Sequence, residues 1–450
     1  MNDDYVGVYE CGRNTPVFGE FDVVVLGGGP AGISAAVSAS RAGCSTLLIE
    51  RYGFLGGMGT AGGVTNFCGL HANVYGEHQT VVHGVADDLL FRINHLGGLN
   101  NPHLILGRVL AQAFDISCYK LAADDLLSSA GVNILFHAFA VGVDMKETDI
   151  INALLIETKS GRMAVRGQMF IDCSGDADLA AWCGVPFEKG SGHGDMMYPS
   201  TLYRIAGVDP ERAGEAWKMI PSLMEEAEKR GIRFPRKGAI VRPQKDTTEW
   251  RANITQLRNV DGSAVDGTNV RSLSQAEMDG RRQVRDTFEF LRTVPGFEHS
   301  RIAEIATQVG IRETRRIVGE YVLTETDILT CASFDDTVGV NSWPIENHMD
   351  GNVQWCWQDI PGSRGFNHLP YRMLLPQHIN NLLVAGRCAS MSHLGQSAAR
   401  VTGACFVMGQ AAGLAASHAL NDGVIPAKND VKKLQAHLID SGVYLGIDLK

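Results

Sequence analysis

Residues 21–50 read FDVVVLGGGPAGISAAVSASRAGCSTLLIE and contain a complete strand–helix–strand unit. The apolar run 23–26 predicts a buried strand, and it leads into the turn 27–32, GGGPAG, which fits the pattern G-x-G-x-x-G. A helix of small residues follows and ends near Gly43, and a second apolar strand ends at Glu50. This order and spacing are typical of a dinucleotide-binding fold.

Each residue of the glycine-rich turn has a physical role in that fold. Gly27 allows the tight turn, and Gly29 lets the backbone approach a pyrophosphate without a Cβ in the way. Pro30 and Ala31 open the helix, whose free N–H groups and positive dipole end favour phosphate. Gly32 lets the helix pack close to the sheet. We therefore predict that all five contact or position a dinucleotide.

Glu50 stands at the end of the second strand, where the fingerprint has an acidic residue. A carboxylate at this place accepts hydrogen bonds from ribose hydroxyls and repels a 2′-phosphate. The nucleotide is therefore expected to be FAD or NAD rather than NADP.

The next segment, 51–63, reads RYGFLGGMGTAGG and is too rich in glycine for a helix or strand interior. Here the sequence resembles the FAD-dependent oxidoreductase family of the glutathione-reductase-like flavoprotein superfamily. In that family a Glu-Arg-x-x-x-x-Gly-Gly segment runs along the FAD. The resemblance implies that Arg51, Gly56, Gly57 and Met58 bind FAD, and it speaks against an enzyme that uses NAD alone.

Later stretches of the sequence also resemble nucleotide-binding segments of this family. The strand FIDCSGD, 170–176, is similar to the family's strand that ends beside the nucleotide, which implies cofactor contacts for Gly175 and Asp176. An earlier strand, which begins near residue 134, is expected by the same resemblance to offer backbone groups near Val141 to the adenine.

The stretch 381–413 is similar to the family's last FAD-binding segment. Gly386 and Arg387 stand where the wider superfamily has Gly-Asp, a departure that the family shares. Arg400 precedes a long helix of small residues, and by resemblance the N-terminus of this helix faces the pyrimidine end of the flavin. Gly386, Arg387 and Arg400 are therefore predicted to bind the cofactor.

The segment 310–321, GIRETRRIVGEY, resembles a further family motif and holds three arginines within five residues. All three cannot face a core, so at least one is expected to meet an anion. The anion is either the FAD pyrophosphate, a substrate carboxylate or a nearby glutamate, and an internal network of ion pairs explains the motif equally well.

The catalytic candidates come from the same resemblance. His393 closes a segment similar to the family's Ser-x-Ser/Thr-His and is the first choice as proton acceptor. His71 lies where the family's chain reaches the isoalloxazine, and Tyr371 and Arg372 lie where it re-enters the FAD domain. A metal site is not expected, since the loop histidines have no carboxylate partner and no C-x-x-C motif is present.

The tryptophans 343, 355 and 357 stand among Pro and Gly, and they line a pocket or form a small apolar core.

The predicted fold class is α/β, a Rossmann-like FAD-binding domain with an inserted mixed α+β substrate domain. We place the FAD-binding domain at 21–187 and 376–420, the insert at 188–375, and a helix that packs on the FAD domain at 421–450. Apolar residues at helical spacing predict a helix across 107–130, and charged amphipathic helices are predicted at 212–230 and 274–291.

Composition limits the classes of partner. A net charge of −10 offers no basic surface to nucleic acid, and no apolar run reaches membrane-spanning length. The start of the sequence, MNDDYVGVYECGRN, is unlike a signal peptide, and the ten scattered cysteines are expected to be reduced. A cytoplasmic protein with a small-molecule substrate is therefore expected. Homodimers occur in the wider superfamily, so a homo-oligomer is compatible with the resemblance.

The predicted function is FAD-dependent dehydrogenation or oxidation of a small polar organic substrate. Hydride would pass to flavin N5, and a histidine would accept the accompanying proton. The alternative is a flavin-bearing electron-transfer subunit of a larger redox complex. The sequence does not distinguish a C–O, C–N or C–C bond as the one oxidised.

Overall fold

The computed structural model describes residues 7–10, 12–192 and 195–447, so Cys11, one of the ten cysteines expected to be reduced, lies outside the described residues. The strands, in chain order, are β1 Val17–Leu26, β2 Thr46–Ile49, β3 Asn66–Cys68, β4 His71–Val74, β5 Glu77–Thr80, β6 His103–Ile105, β7 Val109–Ala113, β8 Asn133–Leu135, β9 Phe139–Glu147, β10 Ile150–Thr158, β11 Gly161–Asp172, β12 Phe187–Glu188, β13 Tyr203–Ala206, β14 Ile240–Pro243, β15 Glu249–Asn253, β16 Arg301–Ile305, β17 Arg316–Ile317, β18 Thr337–Asn341, β19 Ile345–Asn347, β20 Gln354–Cys356, β21 Asn367–Pro370 and β22 Leu382–Val384. The helices are α1 Pro30–Arg41, α2 Val85–His95, α3 Ile116–Ser129, α4 Asp178–Trp182, α5 Pro210–Ala213, α6 Ala216–Lys229, α7 Val270–Leu291, α8 Glu325–Leu329, α9 His393–Ala399, α10 Thr402–Asp422 and α11 Val431–Asp440.

The largest sheet has seven strands and contains the fingerprint unit. Five strands run parallel in the order β8-β2-β1-β11-β22, and β10 and β9 extend the sheet antiparallel beside the first half of β11. Because the parallel strands share one direction, their carboxyl ends meet at one edge, where ligands bind in open α/β sheets. The predicted α/β class with a Rossmann-like unit is confirmed.

The two faces of this sheet belong to two different hydrophobic clusters. Alternate residues of β1 point to opposite sides, so that Val23 and Val25 pack with α1, α3 and α10, whereas Val24 and Leu26 pack with α4 and β10. These four strand residues are at most 6% exposed. A parallel strand covered on both faces requires such a continuous apolar run, which is the pattern that the sequence has at 23–26.

Helices α1 and α10 make the closest helix contact that supports this layer. A Cβ on Gly409 would lie 2.0 Å from the backbone oxygen of Ala31, and a Cβ on Gly413 would lie 2.2 Å from that of Ala35. Ser38 Oγ also donates to the Gln410 backbone oxygen at 3.0 Å. The two helix backbones therefore touch directly, and glycine is required at both contact points of α10.

A second sheet has four antiparallel strands in the order β14-β15-β13-β16. One face packs with α6 and α7 around Trp250, Tyr203 and Val284. Strand alternation turns the next residues of β15, Arg251 and Asn253, to the opposite face, which lines the cleft described below. This sheet lies within the predicted insert.

Smaller pieces complete the structure. The sheet β3-β7-β6 and the pair β19–β20 lie beside the cleft, and the pair β18–β21 packs in the core with α10 and α11. Residues of 323–375 thus share the hydrophobic core of the first sheet, although the predicted insert includes them. The exact domain boundaries stay a prediction.

The helix predicted across 107–130 is wrong in its first part. Residues 109–113 form β7, in which Val109, Ala111 and Ala113 are buried and the residues between them are partly exposed. The helix α3 begins only at Ile116, where the Asp115 side chain accepts from the Cys118 N–H. Over so short a segment, the apolar residues fit the period of a strand as well as that of a helix. The segment is a strand because it pairs with β3 and β6.

The two amphipathic helices of the insert are present with altered bounds. The helix predicted at 212–230 is divided into α5 and α6 at Gly214, whose φ of +46° leaves the helical region. The other one is α7. Within the described ranges, no helix combines the length and the apolar character that crossing a bilayer requires.

We expect Gly409→Ala to lower the free energy of unfolding by about 3 kcal/mol, because the new methyl group overlaps backbone that cannot move aside. Chemical denaturation followed by circular dichroism measures it. Gly142→Ala is the control, since its Cβ would meet only Leu155 Cδ1 at 3.9 Å. Equal stability of both variants would contradict the close contact of α1 with α10.

Candidate active site

A deep cleft lies at the carboxyl edge of the seven-stranded sheet, with a cavity volume of ≈ 300 Å³. One end is formed by the fingerprint unit and β9. The other end is formed by β15, the small sheet β3-β7-β6 and the pair β19–β20. The helices α1 and α10 both begin at this cleft, so it is described from the first end to the second.

The N-terminus of α1 opens into the cleft without a cap. Gly29 is the N-cap residue, no side chain accepts from the first turn, and Pro30 and Ala31 line the cavity. A Cβ on Gly29 would have only the Gly57 Cα near it, at 3.7 Å, so the surface here is bare backbone. The first N–H groups of this helix therefore point into a space that a phosphate could fill.

The fingerprint carboxylate Glu50 is buried at the same end. Its Oε2 accepts from the Gly28 N–H at 2.7 Å, and its Oε1 accepts from the Tyr52 N–H at 3.0 Å. Burial raises the pKa of Glu50, and the two hydrogen bonds act against that shift. Each carboxylate oxygen keeps a lone pair for a further donor.

Two charged side chains border this end of the cleft. Arg51 donates to Gln308 Oε1 at 2.9 Å and lies over the Tyr52 ring. Asp178 forms an ion pair with Arg315. Burial, together with the neighbouring carboxylates, raises the pKa of Asp178 to about 7.

The middle of the cleft is closed by Arg387. Its Nε donates to the Gly175 oxygen at 2.7 Å, its Nη2 to Asp176 Oδ1 at 2.8 Å, and its Nη1 to the Ile311 oxygen at 2.6 Å. Gly386 beside it has φ +90° and lies against Ala31. The guanidinium thus ties three segments together while its residue lines the cavity.

A second uncapped helix N-terminus lies next to this point. The N-cap of α10 is Val401, with no side-chain cap, and Val401 and Thr402 both line the cavity. A Cβ on Gly403 would meet the backbone oxygen of Gly69 at 2.1 Å, so the helix start is held against the strand that carries Cys68. Two helix dipoles therefore point their positive ends at one cavity.

Most of the predicted cofactor residues line this cleft. They are Gly27, Gly29, Pro30, Ala31, Glu50, Arg51, Gly57, Met58, Gly175, Gly386, Arg387 and Arg400. The remaining four are Gly32, Gly56, Val141 and Asp176, and each is next in the chain to a lining residue. A Cβ on Gly32 would lie 1.7 Å from the Gly27 oxygen, so its role is close packing, as the fingerprint predicts.

The far end of the cleft holds a histidine–glutamate pair. His348 Nε2 and Glu346 Oε1 are 3.1 Å apart, and the Trp343 indole N–H donates to Glu346 Oε2 at 3.0 Å. Burial raises the pKa of Glu346, but the His348 hydrogen bond and the Arg400 charge outweigh it and bring that pKa to about 2. Since an ionised carboxylate only accepts, Nε2 carries the proton of the imidazole.

The other nitrogen of this imidazole is available. His348 is 3% exposed, and Nδ1 is buried with no hydrogen-bond partner among the described residues. Burial and the positive charge of Arg312 lower the pKa of His348 well below 6.5, against the raising effect of Glu346. The ring is therefore neutral near pH 7, its Nδ1 lone pair has no partner among the described residues, and the residue lines the cavity.

Three arginines surround this pair. Arg251 lies on β15, Arg312 comes from the motif 310–321, and Arg400 precedes α10, and all three line the cavity. Arg312 donates to the Tyr198 oxygen at 2.6 Å and to Ser200 Oγ at 3.0 Å. Burial lowers the pKa of each guanidinium, that of Arg251 to about 10.

An apolar wall completes the far end. Trp343 and Trp355 meet edge to face with ring centroids 6.2 Å apart, and Trp355 stacks on Trp357. The tryptophans were expected to line a pocket or to form a small apolar core, and they do both. They pack together with Val109, and Trp343 and Trp355 line the cavity. Burial raises the pKa of the nearby Cys68 thiol to about 12, so this thiol is protonated.

The four predicted catalytic residues do not line the cleft. Tyr371 is buried, with its hydroxyl donating to the Pro426 oxygen and accepting from Asn429. Arg372 is exposed and forms an ion pair with Asp336 at 2.9 Å.

The two histidines among them have other surroundings as well. His71 lies on β4 opposite Thr80, and burial lowers its pKa. His393 begins α9, and its Nδ1 lies 3.0 Å from the carboxylate of Glu313, which also pairs with the buried Arg316. The structure thus supports a packing or ion-pair role for these residues, and their catalytic role stays a prediction.

The motif 310–321 divides its arginines between two roles. Arg315 pairs with Asp178 and Arg316 with Glu313, which is the internal network that was left open. Arg312 alone of the three faces the cavity.

The sequence analysis did not single out the cleft-lining pair Glu346 and His348. The signal was the spacing Glu-x-His at the edge of a short strand, which turns both side chains to one side of the chain. Arg251 had no local signal, since only the pairing of β15 with its neighbours brings it to the cleft. Among the described residues, no group of three or more metal-binding side chains lies together.

Comparison with known proteins agrees with this arrangement. Residues 22–438 match the profile of the family described as FAD dependent oxidoreductase. The dihydrolipoyl dehydrogenase of Trypanosoma brucei brucei is 50% identical over 45 residues, which is 10% of this chain and 9% of that protein. Digeranylgeranylglycerophospholipid reductase 2 of Methanopyrus kandleri is 28% identical over 158 residues, 32% of this chain and 40% of that protein.

The chain therefore spans less than half of the length of these curated relatives. A solved structure of a geranylgeranyl bacteriochlorophyll reductase-like protein from Thermoplasma acidophilum is similar over 94% of this chain and 84% of that one. The TM-score is 0.46 and the sequence identity is 13%.

We expect Glu50→Gln to weaken the binding of FAD about tenfold, because the neutral amide replaces a charge-assisted acceptor worth about 1.5 kcal/mol. Titration of the deflavinated protein with FAD, followed by quenching of flavin fluorescence, measures the change. The exposed Glu20→Gln on β1 is the control and leaves the affinity unchanged. Unaltered affinity in Glu50→Gln would contradict a ribose contact.

Proposed function

Since the chain belongs to the FAD-dependent oxidoreductase family, its cofactor is FAD, and we propose that it dehydrogenates a small organic substrate in the far half of the cleft. The observation that carries this proposal is the neutral His348, held by Glu346, with Nδ1 unpartnered and buried at the cavity. The proposed step removes a hydride and a proton from the substrate.

The residues of the cleft fit FAD at each point where the cofactor needs a partner. Glu50 would hold the ribose of the adenosine, and the uncapped start of α1 with Gly29 would hold the pyrophosphate. The uncapped start of α10 would favour negative charge on the flavin. The cofactor supplies the acceptor of the hydride, at flavin N5.

His348 would accept the proton that leaves with the hydride. Its lone pair is on Nδ1, and Nε2–H donates to Glu346, so the ionised Glu346 fixes the tautomer and stabilises the imidazolium that forms. The substrate loses both hydrogens, one as hydride and one as a proton on Nδ1. Release of that proton to water restores the neutral imidazole.

The charges around His348 explain why it is ready as a base. Arg312 and Arg400 disfavour the imidazolium, whereas Glu346 favours it, and burial gives the largest contribution. The free base therefore persists to a pH below the ordinary histidine range.

This assignment replaces His393 as first choice. Each histidine has one ring nitrogen held by a glutamate, but His348 lines the cavity and His393 does not. The identity of the substrate and the placement of the family in the glutathione-reductase-like superfamily stay predictions.

We expect the purified protein to show flavin absorption bands that pass into the supernatant on acid precipitation. The bands report FAD, and their release reports non-covalent binding, as expected with Cys68 held protonated and therefore a poor nucleophile. Flavin retained in the pellet would contradict the non-covalent link. A colourless protein that also fails to take up added FAD would remove the basis of the proposal.

We expect His348→Asn to slow reduction of the bound flavin about 10²–10⁴-fold, because general base catalysis contributes that much. Anaerobic stopped-flow bleaching, with a compound found by screening alcohols, amines and saturated cyclic compounds, measures the rate. His83→Asn is the control, since His83 lies apart from the cleft and pairs with Asp87. A wild-type rate in His348→Asn would reject His348 as the base.

The pH dependence of the same rate is a second test of this residue. Because the pKa of His348 is lowered, the rate should stay constant as pH falls through 6.5 and decline only at more acid pH. In Arg312→Gln the loss of a repelling positive charge raises that pKa, so the decline should begin at a higher pH. An unshifted profile would contradict titration of His348.

A further inference from the structure

The far end of the cleft carries an excess of positive charge. Arg251, Arg312 and Arg400 contribute three positive charges, Glu346 contributes one negative charge, and His348 is neutral. Two positive charges thus remain uncompensated at a place where burial makes each of them costly.

These three arginines have no carboxylate within ion-pair distance in the part of the chain that the structure describes. Arg315, Arg316 and Arg387 lie close by and each has one. Arg387 also lines the cavity, but its charge is already paired with Asp176, whereas the charges of the first three arginines are left for another anion.

Their hydrogen bonds are also incomplete. The Nε atoms of Arg251 and Arg400 are buried without a partner among the described residues, and Arg251 and Arg312 are at most 8% exposed. Arg251 contacts the side chain of Asn66 at 3.0 Å once that amide is oriented to accept. An unpartnered donor on a buried guanidinium requires an explanation, and a polar group or water bound in the adjoining cavity supplies one.

The surroundings of the arginines are apolar rather than polar. Trp343 and Trp355 present aromatic surface, and Leu202 and Ile240 line the same end. A fully hydrophilic anion would leave this surface without a partner, whereas an apolar body with one charged group would cover both parts.

We propose that the substrate is a small aromatic or apolar carboxylic acid, whose carboxylate is bound by Arg251 and Arg312 and whose apolar part lies against Trp343 and Trp355. The proposal rests on the proposed function, because it names the substrate class of the same site. A monocarboxylate also balances the charge. It takes one of the two excess positive charges, and the other is left for the negative charge that flavin acquires on reduction.

The test is a titration of the FAD-loaded protein with benzoate, followed through tryptophan fluorescence and, separately, through the flavin absorption bands. Benzamide is the neutral isostere, and inorganic phosphate is the anion without an apolar body. The matched variants are Arg251→Gln and Arg312→Gln, with Arg285→Gln as the control, since Arg285 is exposed on α7 and pairs with Asp286.

We expect benzoate to bind at least tenfold more tightly than benzamide or phosphate. Arg251→Gln and Arg312→Gln should each weaken benzoate binding at least tenfold, and Arg285→Gln should not change it. Arg312→Lys keeps the charge and should retain part of the affinity, and thermal unfolding of each variant verifies that it is folded.

Equal binding of benzamide and benzoate would overturn the proposal, as would unchanged affinity in the two glutamine variants. Tighter binding of phosphate would assign the arginines to a phosphate group instead. Absence of benzoate binding by the wild-type protein would also overturn it. Benzoate has no hydride to give up and the tryptophan signal needs no turnover, so this titration tests the carboxylate site alone, whereas the proposed dehydrogenation stands or falls with the anaerobic bleaching of the flavin.

Discussion

The direct backbone contact between α1 and α10 is the constraint on which the rest of the structure depends. Glycine at 409 and 413 lets α10 lie against the oxygens of Ala31 and Ala35, and Gly32 lets α1 lie against the turn at Gly27. Two helices that are more than 350 residues apart in the chain thereby begin at the same cavity. Without this packing, the two positive helix ends would not meet one ligand.

The cofactor half of the site was predictable because its signals are local. The turn at Gly27 to Gly32 and the carboxylate of Glu50 belong to one short unit, whose spacing already determines which backbone groups face a nucleotide. The family resemblance extended this prediction to Gly386 and Arg400, which local spacing alone would not have joined to it. The residues of β7 show the limit of hydrophobic periodicity. Their short apolar pattern is compatible with a strand and with a helix, and only the pairing with neighbouring strands shows that it is a strand.

The substrate half was much less predictable because its residues meet only through tertiary structure. Arg251 reaches the cleft through the pairing of β15, and Arg312 faces it while its motif neighbours Arg315 and Arg316 do not. Tyr371 and Arg372 stood in a suggestive segment, yet their side chains are bound by Asn429 and Asp336. The resemblance drew attention to this segment but did not determine where each side chain points.

Successive residues of strand β15 alternate between packing in the core and lining the cleft. Trp250 and Ala252 pack with α6 and α7, whereas Arg251 and Asn253 face the cleft. Selection can therefore exchange the second pair while the first pair keeps the sheet intact. Such a strand allows related proteins to diverge in what they recognise at little cost in folding, and it offers the protein engineer two alternate positions on one face for changing specificity.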